Sequence, residues 1–246
     1  MMADRIVFDH IAVATERITS ASPILTGMLG GKPHFGMDSG NFRFGQWRFK
    51  AGGRIEVLEP AGTDGFLHRF LAKHGPGIHH VTFKVPNLRT ACERAESHGY
   101  TIVGYNDSDP RWEEAFLHPK EALGLVVQLA HEGQGFKPLQ RWRAPLETEN
   151  PPTPVTILGL RTRARSLERA RTQWELLLQG ECAEQSRDEL TYRWPGSPMH
   201  LVVEINPSKG EGPMCIEFAS DQAISLPQDE HSLLGSVFAQ RHFSGR

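Results

Sequence analysis

The chain has 246 residues, enough to bury a full core and to form one large domain or two smaller ones. Its 27 basic residues against 29 acidic ones give a net charge of −2 with histidine neutral, so no basic stripe argues for nucleic acid and no acidic tail for disorder. The apolar runs are strand-sized, well short of the ~20 residues that cross a bilayer, and Met1 to Thr15 mixes charges of both signs without a small-residue cleavage site. Neither a membrane span nor a secretory signal is expected, and a cytoplasmic setting is. Cys92, Cys182 and Cys215, with no CxxC spacing, read as buried thiols of a reducing compartment.

Taken in chain order, residues 5–14 alternate as a strand. Residues 19–29 read as a helix with Pro23 in its first turn and Gly30-Gly31 as its stop. Residues 41–49 and 54–58 are strands joined by the turn Lys50-Ala51-Gly52-Gly53, and residues 64–73 are a short helix. Residues 77–85 open a second round. A helix follows from Asn87 through Ser97, stopped by Gly99. Strands are expected over 101–105, 113–117 and 125–130, the last two a hairpin around His118-Pro119-Lys120-Glu121. The order strand–helix–strand–strand–strand is expected twice within residues 5–131. Residues 132–154 read as a linker carrying Gly133, Gly135, Pro138, Pro145, Pro151, Pro152 and Pro154, with Trp142 as an anchor onto a neighbouring surface.

A third, weaker copy follows, with strands over 155–163, 189–194 and 199–206 and an amphipathic helix over 166–179. Residues 212–218 look like the opening strand of a fourth copy. The expected division is residues 1–132 as a metal-binding pair of units, 133–153 as linker and 154–246 as a degenerate unit without ligands.

The two strong copies carry one polar pattern. Phe8-Asp9-His10-Ile11-Ala12-Val13 recurs as Ile78-His79-His80-Val81-Thr82-Phe83, and Arg54-Ile55-Glu56-Val57-Leu58 recurs as Leu125-Val126-Val127-Gln128-Leu129. The offsets are 80 − 10 = 70 and 128 − 56 = 72. A strand holds a ligand stiffly and sends every second side chain to one face. His10, Glu56, His80 and Gln128 therefore form a candidate set for one divalent ion: zinc, nickel, cobalt, manganese or ferrous iron. A single histidine on an apolar strand is more often a hydrogen-bonded core residue. Glu56 among Ile55, Val57 and Leu58 resists that reading, because an unpaired buried carboxylate is expensive. The third and fourth copies carry Gly159, Val203 and Cys215 at the ligand positions.

Four segments resemble the vicinal oxygen chelate superfamily, which includes glyoxalase, bleomycin-resistance and extradiol dioxygenase proteins: Asp9-His10-Ile11-Ala12, Ile55-Glu56-Val57-Leu58-Glu59-Pro60, Gly77-Ile78-His79-His80-Val81, and His118-Pro119 with the strand reaching Gln128. The spacing most resembles that of the methylmalonyl-CoA epimerases. The resemblance covers residues 5–131. It implies an α+β fold of paired βαβββ units forming an open, cup-shaped mixed sheet around the metal, with His10, Glu56, His80 and Gln128 at the ligand positions. Of the His79-His80 pair it implies the second. In the epimerase-like pattern the amide ligand lies in the first unit and the carboxylate in the second; here the types are exchanged. That pattern also has a Glu on the strand before Glu56, where this chain offers only Asn41 and Gln46.

Glu113 and Glu114 adjoin on the strand before Gln128, so one faces in; Glu114 is the candidate second acid/base beside Glu56, against the plainer reading of a solvated pair. Trp47, Trp112 and Phe116 are pocket or core. Arg161, Arg163, Arg165, Arg169 and Arg171 give the third copy a basic face, read as solvated and paired with Glu168 and Glu175. The expected activity is proton transfer on a small oxygenated substrate, a thioester among the candidates. The metal would stabilise an enolate, and Glu56 would shuttle the proton, as in a lyase or isomerase of the glyoxalase or epimerase kind. The alternatives are an extradiol-type ring-cleaving dioxygenase using ferrous iron and a non-catalytic small-molecule-binding protein. The ligand-free copy needs cover for its sheet, from the N-terminal half or from a second chain, and a homodimer is the expected solution.

Overall fold

The structure is a computed structural model that describes residues 5–50, 52–135, 152–227, 234 and 237–241. Most of the expected linker, Trp142 included, lies outside the described residues.

Strands β1 (Val7–Ala14), β2 (Lys32–Asp38), β3 (Phe42–Arg48), β4 (Arg54–Pro60), β5 (Gly77–Lys84), β6 (Ile102–Asn106), β7 (Trp112–Leu117) and β8 (Val126–Glu132) form an eight-stranded sheet in the order β2-β3-β4-β1-β5-β8-β7-β6. Strands β9 (Thr156–Ala164), β10 (Glu181–Gln185), β11 (Glu189–Arg193), β12 (His200–Ile205), β13 (Gly212–Ala219) and β14 (Phe238–Arg241) form a six-stranded sheet in the order β10-β11-β12-β9-β13-β14. Four short helices accompany them: α1 (Ser22–Leu25), α2 (Phe66–His74), α3 (Leu88–Ser97) and α4 (Leu167–Arg171), the last continued by a π-helical turn over Thr172–Leu177. Mixed open sheets with few helices are the expected α+β class. None of the described helices is long and apolar enough to cross a membrane.

In each of the first three repeats the opening strand pairs parallel with the closing one: β1 with β4, β5 with β8 and β9 with β12. The strand before the closing one pairs antiparallel with it, β3 with β4, β7 with β8 and β11 with β12. The α3 helix begins at Leu88, next to the expected start, and Asn87 caps it: its side chain accepts from the Thr90 amide.

Several elements differ from expectation. The helix expected over 19–29 shrinks to a 3-10 turn (Ile18–Ala21) and the single turn of α1. Its second half continues as irregular turns: the Thr26 and Gly27 amides bond the Ser22 carbonyl, those of Met28 and Leu29 the Ile24 carbonyl, and the Val155 amide bonds the Leu29 carbonyl. Gly30, at φ +66°, lies so close to Pro152 that a Cβ would meet that carbonyl oxygen at 2.5 Å. Strand β2, which contains Pro33 and Gly36, was not among the expected strands; it is an edge strand with a bulge between Pro33 and Phe35, a place that tolerates proline. The β10 strand is exposed throughout and bulged between Cys182 and Glu184, so it shows no apolar alternation to read. Cys182 is exposed rather than buried, and none of the three cysteines is in a disulfide.

By packing, the chain divides into two compact units, each discontinuous in sequence. The first comprises Met1–His10, His80–Lys137 and Gly159–Met214. Here the second and third repeats meet through an aromatic cluster. Phe8 stacks on Phe83 at 5.0 Å between ring centroids, and Trp194 lies 4.8 Å from Phe83 and 6.5 Å from Trp174. All four rings are buried. The Trp194 indole N–H donates to the Leu178 carbonyl, Ser197 Oγ to the Phe8 carbonyl, and Arg94 to the Leu177 carbonyl. The third repeat thus packs against the second within this unit.

The second unit comprises Ile11–His79, Pro138–Leu158 and Cys215–Arg246. Its core holds Ala12, Ala14, Leu58 and Leu67, with Phe42, Phe44, Phe70 and Leu71 packed against them. Trp47, fully buried and donating to Thr26 Oγ1 at 2.9 Å, is a core residue here.

Replacing Trp174 with Ala should destabilise the chain by about 3–5 kcal/mol, the range for emptying a buried aromatic site. Urea unfolding of the Trp174→Ala protein checks it; a loss under about 1 kcal/mol would mean that the seam does not hold the two repeats together.

Candidate metal centre

Strand register decides which side chains converge. In the first repeat Ala12 pairs with Glu56, and in the second Thr82 pairs with Gln128. Paired residues point to one side of a sheet, as do residues two apart on a strand. His10 therefore shares a face with Glu56, and His80 with Gln128. The four expected ligands are 2% (His10), 7% (Glu56), 5% (His80) and 7% (Gln128) exposed. His10, Glu56 and His80 each offer one ligand atom, and these atoms lie within 4.8 Å of one another.

His10 is oriented from behind. Its Nδ1 lies 2.8 Å from Asp9 Oδ2, and Lys84 Nζ lies 3.4 Å from Asp9 Oδ1 while also pairing with Glu132. A carboxylate on one ring nitrogen fixes the tautomer and makes the other a better ligand. That other atom, Nε2, lies 2.9 Å from Thr82 Oγ1, and the Thr82 hydroxyl donates to Gln128 Oε1 at 2.6 Å. Gln128 Nε2 in turn donates to Glu114 Oε2 at 2.7 Å, and Trp112 Nε1 donates to the same oxygen at 3.1 Å. Of the two neighbouring carboxylates it is Glu114 that meets Gln128. On the other repeat, Gln46 pairs in register with Glu56 and donates from Nε2 to its Oε2 at 2.8 Å.

Residue-type reasoning passed over Thr82, Gln46 and Asp9 as site members. Thr82 was legible as the repeat partner of Ala12, two residues beyond the ligand histidine. Gln46 was noted only as the wrong residue for an acid/base.

His79 is placed differently from His80. It packs on α2, its ring centroid 5.5 Å from that of Phe66 and 4.8 Å from that of Phe70. Burial lowers its imidazole to about 4, against a smaller upward pull from Glu56. In the third repeat Gly159 stands at the position of His10. A Cβ there would lie 1.8 Å from the His200 carbonyl oxygen, so no ligand side chain fits. Arg161 pairs with Val202, which puts Val202, not Val203, at the place of Glu56. Of the arginines expected on a solvated helix face, Arg161 and Arg163 pair with strand carboxylates, Glu189 and Glu204, and Arg169 pairs with Glu211 just before β13, while Arg171 pairs with Glu175 as expected.

The donor set, two imidazoles and a carboxylate with a backing carboxylate on His10, fits a divalent transition-metal or zinc ion. Residues 9–116 match the family model of the Glyoxalase/Bleomycin resistance protein/Dioxygenase superfamily. Among individual relatives, an ethylmalonyl-CoA/methylmalonyl-CoA epimerase of Cereibacter sphaeroides is 32% identical over 82 residues, 31% of this chain and 60% of that protein. An uncharacterised Bacillus subtilis protein, YqjC, is 28% identical over 131 residues, 49% of this chain and 89% of its own length. A mutant of 4-hydroxymandelate synthase from Streptomyces coelicolor shares the fold over 89% of this chain and 72% of that one, with TM-score 0.62 and 13% identity.

Two outcomes follow. His80→Ala should lose its metal on dialysis while Cys215→Ala keeps a full equivalent, and Asp9→Asn should bind about 10- to 100-fold more weakly; metal analysis that finds a full equivalent in His80→Ala would overturn the ligand set. His79 should stay neutral at pH 5. Its folded value lies below the ordinary 6.5, so between about 6.5 and 4 the unfolded chain binds the extra proton. The stability it contributes is whole above about 6.5 and is lost as pH falls toward 4. Denaturant midpoints of the wild type and His79→Phe over that window check it: the variant should show the flatter acid limb.

Proposed function

We propose that the chain is a metal-dependent enzyme of the glyoxalase or epimerase kind, a lyase or isomerase that moves a proton on a small oxygenated substrate, with thioesters as the first class to try. The observation that carries this is the buried group His10, Glu56 and His80 with ligand atoms within 4.8 Å of one another. The relative named as an epimerase supports the reaction class. Gln128 is the fourth ligand in this reading, residues 1–132 carry the chemistry and residues 154–246 serve structure.

A divalent ion held there supplies a Lewis acid for a substrate oxygen. The chain's own groups do the rest. Glu56 takes the proton from the substrate carbon and returns it. Gln46, donating to Glu56 Oε2 at 2.8 Å, holds that carboxylate oxygen in place. Asp9, held by Lys84, keeps the His10 ring turned with Nε2 forward.

A second reading rests on the same donor set, since two histidines and one carboxylate also suit ferrous iron. Iron in the purified protein with oxygen consumed during turnover would favour a ring-cleaving dioxygenase. Protein that takes up no metal would favour a binding protein.

The direct test uses methylmalonyl-CoA and ethylmalonyl-CoA, the substrates in the relative's name, in deuterated water. Deuterium should enter at the carbon between the two carbonyls. Glu56→Gln should slow that exchange by about 100-fold or more while retaining some metal. Exchange at the wild-type rate in Glu56→Gln would move the base to Glu113 or Glu114.

A further inference from the structure

The candidate ligands carry two Gln–Glu pairs with exchanged roles. On the first repeat the carboxylate, Glu56, stands at the ligand position, and Gln46 on the neighbouring strand donates to it at 2.8 Å. On the second repeat the amide, Gln128, stands at the ligand position, and Glu114 on the neighbouring strand accepts from it at 2.7 Å. The pairs are not placed identically: Gln46 lies directly opposite Glu56, whereas Phe116 lies opposite Gln128 and Glu114 lies opposite Ala130.

An amide at a ligand position has a difficulty that a carboxylate does not. Only its oxygen can bind a cation, and its NH2 end is nearly the same shape. Something must select the flip. A carboxylate offers acceptors only, so Glu114 meets the NH2 end of Gln128 and disfavours the oxygen there. The Trp112 indole, a donor only, holds the same Glu114 oxygen at 3.1 Å. At the other end the Thr82 hydroxyl donates to Gln128 Oε1 at 2.6 Å, and that hydroxyl oxygen is 2.9 Å from His10 Nε2. The amide oxygen is thereby presented on the side where the ligand atom of His10 lies.

We infer that Glu114 is a positioning residue: it fixes the flip of Gln128 so that this side chain offers its oxygen, together with His10 and His80, to a divalent cation. The inference rests on the metal reading above. It gives Glu114 a task in metal binding in place of an acid/base task on the substrate.

The experiment measures Co²⁺ affinity of the metal-stripped full chain against a chromophoric chelator, with the cobalt absorption spectrum and the thermal midpoint recorded for each variant. Glu114→Met is close in size and removes the oxygen that Gln128 Nε2 and Trp112 Nε1 both meet. It should weaken Co²⁺ binding about 10- to 100-fold and alter the spectrum. In a Gln128→Ala background the same change should have no further effect, because Glu114 acts through Gln128. Wild-type affinity in Glu114→Met, or an equal loss in the Gln128→Ala background, would overturn the inference. So would a Glu114→Met protein that keeps its affinity but loses deuterium exchange, which returns Glu114 to the acid/base role. His80→Ala serves as the control: undiminished Co²⁺ binding there would show that the metal reading itself had failed.

Discussion

Parallel pairing between the first and last strand of each repeat is the constraint on which the site depends. A slip of one residue would turn every side chain of a strand to the other face. With Ala12 opposite Glu56 and Thr82 opposite Gln128, the register leaves one arrangement, in which each repeat delivers an imidazole and an oxygen donor to a common face. Hydrophobic burial enforces it, since Ile11, Val13, Val81 and Phe83 fill the opposite face and are fully buried. The polar residues are not embedded despite the core; they lie where its alternation sends them.

Burial then sets the second condition, that each polar group be met by a partner. Leaving a buried donor or acceptor unsatisfied costs about 1–3 kcal/mol. The line Asp9, His10, Thr82, Gln128, Glu114, Trp112 runs through side chains that each lie within hydrogen-bond distance of the next. Such a network specifies orientation as well as stability. Changing any member should be felt at its neighbours, so single substitutions here will not add independently.

Much of this was legible because it is periodic. The seventy-residue recurrence of His10 as His80, and of Glu56 as Gln128, carries both the repeat and the candidate ligands, and alternation carries the strands. What was not legible has specific physical causes. Pro33 and Gly36 hide an edge strand, because an edge needs fewer backbone donors than a central strand. Residues 26–30 keep turns whose amides bond back four or five residues, so the expected helix loosens past Leu25 in a way that its residue types do not mark. Residues 181–185 form a strand wholly in solvent, where no apolar pattern marks it. Thr82 and Gln46 were unremarkable by type and gain meaning only from register. Val203 stands four residues before Pro207 as Glu56 stands four before Pro60, but the pairing of Arg161 with Val202 overrides that spacing.

The aromatic seam of Phe8, Phe83, Trp174 and Trp194 has a thermodynamic consequence. A surface that relies on a separate subunit is covered only as far as mass action allows, and uncovers on dilution. Here the covering rings are tethered to the surface they cover, at an effective concentration set by the chain and not by the solution. Phe83, near the end of the strand that carries His80 and Thr82 on its other face, is therefore shielded to the same degree at nanomolar and at millimolar protein.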